Sequence, residues 1–175
     1  MRRVRSTLVV LVAAAAIAAG TAGAQTAEKA KPAAKPAAAA PKHVMVSPSD
    51  VKWGPGPPSL PPGAQMAVLD GDPAMAGKPF VIRAKLPDGY RVPPHFHPTD
   101  ENVAVLSGTF SAGIGDTFNE GSMMALGPGG YAKMPKMTHH YAMAKGETVI
   151  QVHGVGPFAV TYVNPKDDPR QQKSQ

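Results

Sequence analysis

Twenty prolines and eighteen glycines in 175 residues limit what this chain can fold into. Proline removes a helical hydrogen bond and glycine weakens a helix interior, so long helices are disfavoured over most of the length. Beyond residue 43 the apolar runs are short and are separated by turn signals such as Pro87-Asp88-Gly89 and Lys145-Gly146. Such runs read as strands. The predicted strands are 44–46, 66–69, 80–86, 102–106, 109–114, 130–133, 140–144, 148–153 and 158–163. Their spacing predicts an all-β domain, an antiparallel sandwich or barrel. Residues 120–126 read as one turn of helix. A length of 175 residues suits one ordinary domain, and 43% hydrophobic residues allow a packed core.

The first 43 residues are of a different kind. Met1 to Arg5 is cationic, Leu8 to Ala19 is an unbroken apolar run, and Ala22-Gly23-Ala24 offers small residues for cleavage before Gln25. This is the pattern of a secretory signal peptide over 1–24, and it implies export, most simply to a periplasm. An uncleaved anchor is the alternative, but the run is short and alanine-rich for a membrane span. Arg2-Arg3 is not followed by the remainder of a twin-arginine pattern. Residues 25–43 are almost wholly Ala, Lys and Pro, with Lys-Pro-Ala-Ala repeated. A segment that cannot bury apolar area is expected to be an extended, disordered linker, leaving 44–175 as the folded domain.

The net charge of +6 follows the same division. Leader and linker carry +3 each, whereas residues 44–175 hold 11 basic and 11 acidic residues. The folded segment therefore has no basic surplus with which to neutralise phosphates, and nucleic acid is not an expected partner. The absence of cysteine excludes disulfides, thiolate metal sites, iron–sulfur clusters and a lipoprotein anchor. Any metal must be held by histidine, carboxylate or water.

Five of six histidines lie between residues 95 and 153. On a strand, His95 and His97 would face one side, because side chains alternate with a period of two. Glu101 follows after the turn Pro98-Thr99-Asp100, and His140 opens a later predicted strand. Three imidazoles and a carboxylate make an N/O site suited to one divalent transition metal: Fe, Mn, Ni, Zn, Co or Cu. His139, next to His140, is expected to point away. His153 would be an acid–base group if Val149, Gln151 and His153 face inward, and otherwise an ordinary outward histidine. The methionines, including Met123, Met124, Met134, Met137 and Met143, read as core filler. Trp53, in the Pro/Gly-rich segment 53–58, reads as packed on the barrel or as part of a lid over its mouth. Tyr90, Tyr131, Tyr141 and Tyr162 are donors with no distinguishing mark, and segment 164–170 reads as a surface tail.

The arrangement Gly89-x5-His95-x-His97-x3-Glu101-x6-Gly108 resembles the first motif of the cupin superfamily at every fixed position. The second motif is met by Gly129, Pro135 and His140, with Met137 in place of its second glycine and Ala144 in place of its asparagine. The two motifs span 89–144, and the flanking strands extend the likeness loosely over 44–163. The resemblance implies a single jelly-roll domain with a metal at His95, His97, Glu101 and His140. Gly108 is expected to end a strand at a hairpin. The fold hosts many reactions, so function is less constrained. The favoured expectation is a metal-dependent enzyme of dioxygenase-like chemistry on a small organic substrate, with lyase or isomerase chemistry next. The alternative is a non-catalytic periplasmic protein that binds a metal or small ligand. An epimerase-like cupin that needs no metal fits poorly with a complete ligand set. Homodimerisation through exposed sheet edges is a further expectation.

Overall fold

The computed structural model describes residues 43–172. The expected signal peptide and nearly all of the expected linker lie outside the described residues. Nine strands form one antiparallel system: β1 Gly54–Pro55, β2 Gln65–Gly71, β3 Pro79–Leu86, β4 Arg91–Phe96, β5 Glu101–Ile114, β6 Met124–Leu126, β7 Tyr131–Met134, β8 His140–Val155 and β9 Thr161–Tyr162. Four short 3₁₀ turns complete the described elements.

Two long strands make the curl. The second half of β8 pairs with β3, while its first half pairs with β4. Residues 102–107 of β5 pair with the second half of β8, and residues 109–114 pair with its first half. One side of the sheet therefore runs β1-β2-β3-β8-β5-β7 and the other β9-β4-β8-β5-β6. The two sides share β5 and β8, as in a jelly roll. The register of the shared pair slips at Val105/Ser107 and Ser107/Thr109, and this bulged corner is where both strands pass from one side to the other.

Gly108 sits at this corner with φ +73°, and a Cβ there would meet Thr148 and the Glu147 carbonyl at under 3 Å. Thr148 is fully buried. Its hydroxyl accepts from the Thr109 N–H (3.1 Å) and lies 3.0 Å from the Gly146 carbonyl, to which it donates. The Asp88 carboxylate accepts from the Gly146 N–H at 2.6 Å, tying the Pro87-Asp88-Gly89 turn to the same corner. The expected hairpin ends at Gly108 and Lys145-Gly146 are thus corrected. Both are bends inside continuous strands, which fuse 102–106 with 109–114 and 140–144 with 148–153.

Alternation builds the core. Phe80, Ile82, Ala84 and Leu86 of β3 are buried, while Val81, Arg83 and Lys85 are only partly so. These side chains join Val103, Val105, Phe110, Ile150 and Val152 in a single apolar cluster drawn from both sides. Other expectations change in detail. Residues 44–46 are exposed and, among the described residues, pair with no strand. The expected helical turn over 120–126 is a 3₁₀ turn at Glu120–Ser122 followed by β6, and strand 158–163 shrinks to β9. Met134 is core, but Met124 and Met137 are mostly exposed.

Candidate metal centre

The two adjacent prolines of β4, Pro93 and Pro94, have no N–H to give to the β8 ladder. The pairing accordingly slips between Val92 and His95. The slip turns His95 inward in register with His140, and it frees the Pro93 carbonyl to accept from the His95 Nδ1–H at 2.7 Å. His97 follows one residue past the strand. Its Nδ1–H donates to the Ala159 carbonyl at 2.8 Å, and its ring stacks on Phe158 with centroids 4.3 Å apart. His140 opens β8 and donates from Nδ1 to the Thr138 carbonyl at 2.9 Å. All three imidazoles are at most 5% exposed.

With each Nδ1–H committed to a backbone carbonyl, each Nε2 is left as an unprotonated lone pair. One candidate ligand atom from each of His95, His97 and His140 lies within 4.8 Å of the other two. The Glu101 carboxylate stands beside them, with Oε2 3.5 Å from His97 Nε2 and 3.3 Å from His140 Nε2. Among the described residues, His97 Nε2 is buried with no hydrogen-bond partner. Three imidazole acceptors and a carboxylate therefore face one another in an apolar interior, an arrangement suited to a cation between them. A proton is a poor candidate at His95. Burial, reinforced by His140 and His97 nearby, lowers its pKa to about 3. At Glu101 burial favours the neutral acid, but the imidazoles of His140 and His97 beside it outweigh burial, and the carboxyl is held well below its usual range. The residues present thus fit a divalent metal held by nitrogen and oxygen donors.

The site is braced from two loops. The Asp100 carboxylate accepts from the Lys136 N–H (2.8 Å) and pairs with Lys133 (2.9 Å), while the Met137 N–H donates to the His97 carbonyl (2.9 Å). The turn that presents Glu101 is thereby fastened to the loop that presents His140. Met137 makes its bond at φ +62°, the left-handed region, where the cupin pattern has glycine.

The histidines line a cavity of about 170 Å³ between the two sides of the sheet. Leu60, Ile82, Leu86, Phe110, Val152 and Val160 are among its walls. Pro57, Ser59 and Leu60 close part of it, held by Tyr162 Oη donating to the Ser59 carbonyl (2.8 Å) and Tyr90 Oη donating to the Pro61 carbonyl (2.5 Å). Burial raises the pKa of both phenols, that of Tyr162 to about 12, so both stay donors. Sequence reasoning had not singled out these two tyrosines, and only their partners in space distinguish them. Trp53 does not line the cavity; its ring lies 4.8 Å from Lys85 Nζ. The stretch nearest to a lid is instead a strap at 57–61, which overlaps that segment only at Pro57 and Pro58.

His139 points outward as expected, with its ring stacked on Phe96 and Nδ1 2.6 Å from the Asp116 carboxylate. The inward register considered for His153 is corrected. Ile150 and Val152 take the cavity-facing positions of β8, and His153 is exposed on the opposite face.

A curled jelly roll with a histidine cluster inside it defines a cupin. A family model described as the ChrR cupin-like domain matches residues 41–159, and the chain belongs to this family. Among solved structures it is similar to the polyketide cyclase RemF from Streptomyces resistomycificus (21% identity, TM-score 0.55, covering 74% of this chain and 92% of that one). It is also similar to a putative acetylacetone dioxygenase from Methylibium petroleiphilum (17%, TM-score 0.55, 74% and 87%). An RmlC-like cupin from Shewanella frigidimarina gives 12% identity and a TM-score of 0.51, covering 66% of this chain and 91% of that one. At these identities the likeness is one of fold. A search of curated proteins found no match to the chain.

Proposed function

We propose that this protein is an exported cupin that holds one divalent transition metal through His95, His97, His140 and Glu101, and uses it on a small organic substrate in dioxygenase-like chemistry. The observation that carries the metal reading is the orphaned, buried His97 Nε2 facing two further imidazoles and a carboxylate. When bound, the ion would supply a Lewis-acidic and, for Fe, Ni or Cu, redox-active centre for an oxygen-donor substrate. The residues do the rest. Pro93, Ala159 and Thr138 carbonyls hold the three tautomers, and Glu101 supplies the negative charge. The apolar walls exclude water, and the strap at 57–61 covers the substrate. Dioxygenase-like chemistry is favoured over lyase or isomerase chemistry because, among the described residues, the cavity lining offers no proton-transfer side chain beyond the ligand set, Ser59 being its one further polar side chain. The same observation supports a second reading, a periplasmic metal- or ligand-binding protein without turnover.

The test is the metal content of the full-length chain purified without chelator, beside His140→Ala and His153→Ala. One equivalent of a transition metal in the parent and in His153→Ala, lost from His140→Ala, is expected. Oxygen uptake on adding a panel of diketones and phenols then separates enzyme from binding protein. No metal in the parent, even after reconstitution, would overturn the reading.

A further inference from the structure

The cavity also limits the charge its ligand can carry, an inference that rests on the metal site proposed above. Among the described residues, and apart from His95, His97, His140 and Glu101, the lining contains no lysine, arginine or further acid, and Ser59 is its one hydroxyl. The nearest strap carbonyls, those of Ser59 and Pro61, already accept from tyrosine hydroxyls. Arg170 is close in sequence to the wall at Val160, but its guanidinium lies outside the lining. It is held by both Asp168 oxygens (2.7 Å each) and by the Val160 carbonyl (3.1 Å).

A divalent ion with three neutral imidazoles and one carboxylate leaves a single net positive charge. One anionic oxygen on the ligand neutralises it. A second anionic group, or a row of hydroxyls, would lie against Ile82, Leu86, Phe110 and Val152 with no partner, and buried unpaired charge is strongly disfavoured. We propose that the cavity selects a small molecule with one anionic or ionisable oxygen function and an apolar remainder, and that it rejects dianions and polyols.

The experiment uses the full-length chain loaded with Zn²⁺, its zinc content verified by mass spectrometry, and calorimetric titration with two probes of equal chain length, pentanoate and glutarate. Pentanoate is expected to bind at least about tenfold more tightly than glutarate, and a Leu60→Arg variant, which adds a cation to the wall, is expected to narrow that gap. Glutarate binding as tightly as pentanoate to the zinc-loaded parent would overturn the proposal and leave the metal site standing, as would failure of pentanoate to bind. Failure of the chain to take up zinc would instead overturn the metal reading beneath it.

Discussion

Met137 illustrates how a single residue can carry strain at a site. A non-glycine side chain at φ +62° costs on the order of 1–2 kcal/mol, and this one, exposed at 55%, gains little packing in return. Met137→Gly is expected to stabilise the protein by up to about 1 kcal/mol, the strain relief being partly offset by the freer unfolded chain. Urea denaturation of both forms measures this, and a lower midpoint in the variant would contradict it. The cupin pattern marked Met137 as a departure, but a motif cannot say whether the position still needs the left-handed region. The candidate ligand residues were more legible. Period-two alternation places His95 and His97 together, and their common burial bears that out. The same rule left His153 open, because its direction depends on the register of β8 and not on its neighbours. The carbonyls that orient the three imidazoles had no sequence signal at all, since any residue offers one.

At the scale of the element, β5 and β8 decide the architecture by bending without breaking. Sequence turn signals at Ser107-Gly108 and Lys145-Gly146 located the corner correctly and misjudged its nature. A glycine pair reads alike whether a chain reverses or merely turns between two sides of one sheet, and the difference lies in the antiparallel partner across the gap. Gly108→Ala tests the corner. Its Cβ would meet the Thr148 hydroxyl and the Glu147 carbonyl, both under 3 Å away, in a backbone conformation that disfavours alanine. A loss of roughly 2 kcal/mol or more is expected by chemical denaturation, against about 1 kcal/mol for Gly77→Ala, where the open left-handed site has nothing within 4 Å and the cost is conformational alone. Equal effects at the two positions would mean that the corner is not tightly packed. On the core face, Ile82→Ala removes a buried wall of the cavity and is expected to cost about 2–4 kcal/mol, measured in the same way.

For the whole molecule, the proposed metal binding would be coupled to folding. An ion that binds the folded site alone adds about 2.7 kcal/mol at a hundredfold excess over its Kd, which for a domain of this size raises Tm by roughly 10 °C. Differential scanning calorimetry with and without chelator should show this shift, and an unchanged Tm would argue against a folded-state metal site. The chelated protein should also be acid-sensitive. The unfolded chain protonates His95 near its ordinary pKa of 6.5, whereas the folded one resists until about 3, so protons favour unfolding throughout that interval. Glu101, held below its usual range, acts in the same direction at the acid end. Stability is therefore expected to fall steadily as pH drops from about 6.5 towards 3, and a flat profile in that window would contradict the burial argument.

The proposed centre would hold a metal inside the barrel through three imidazole nitrogens and one carboxylate oxygen. Metal-edge X-ray absorption on the full-length, metal-loaded chain tests it most directly. A first shell of nitrogen and oxygen donors at about 2.0–2.2 Å is expected, with the multiple-scattering pattern of three histidines and no sulfur. A shell with one histidine or none, or with methionine sulfur in it, would contradict the account.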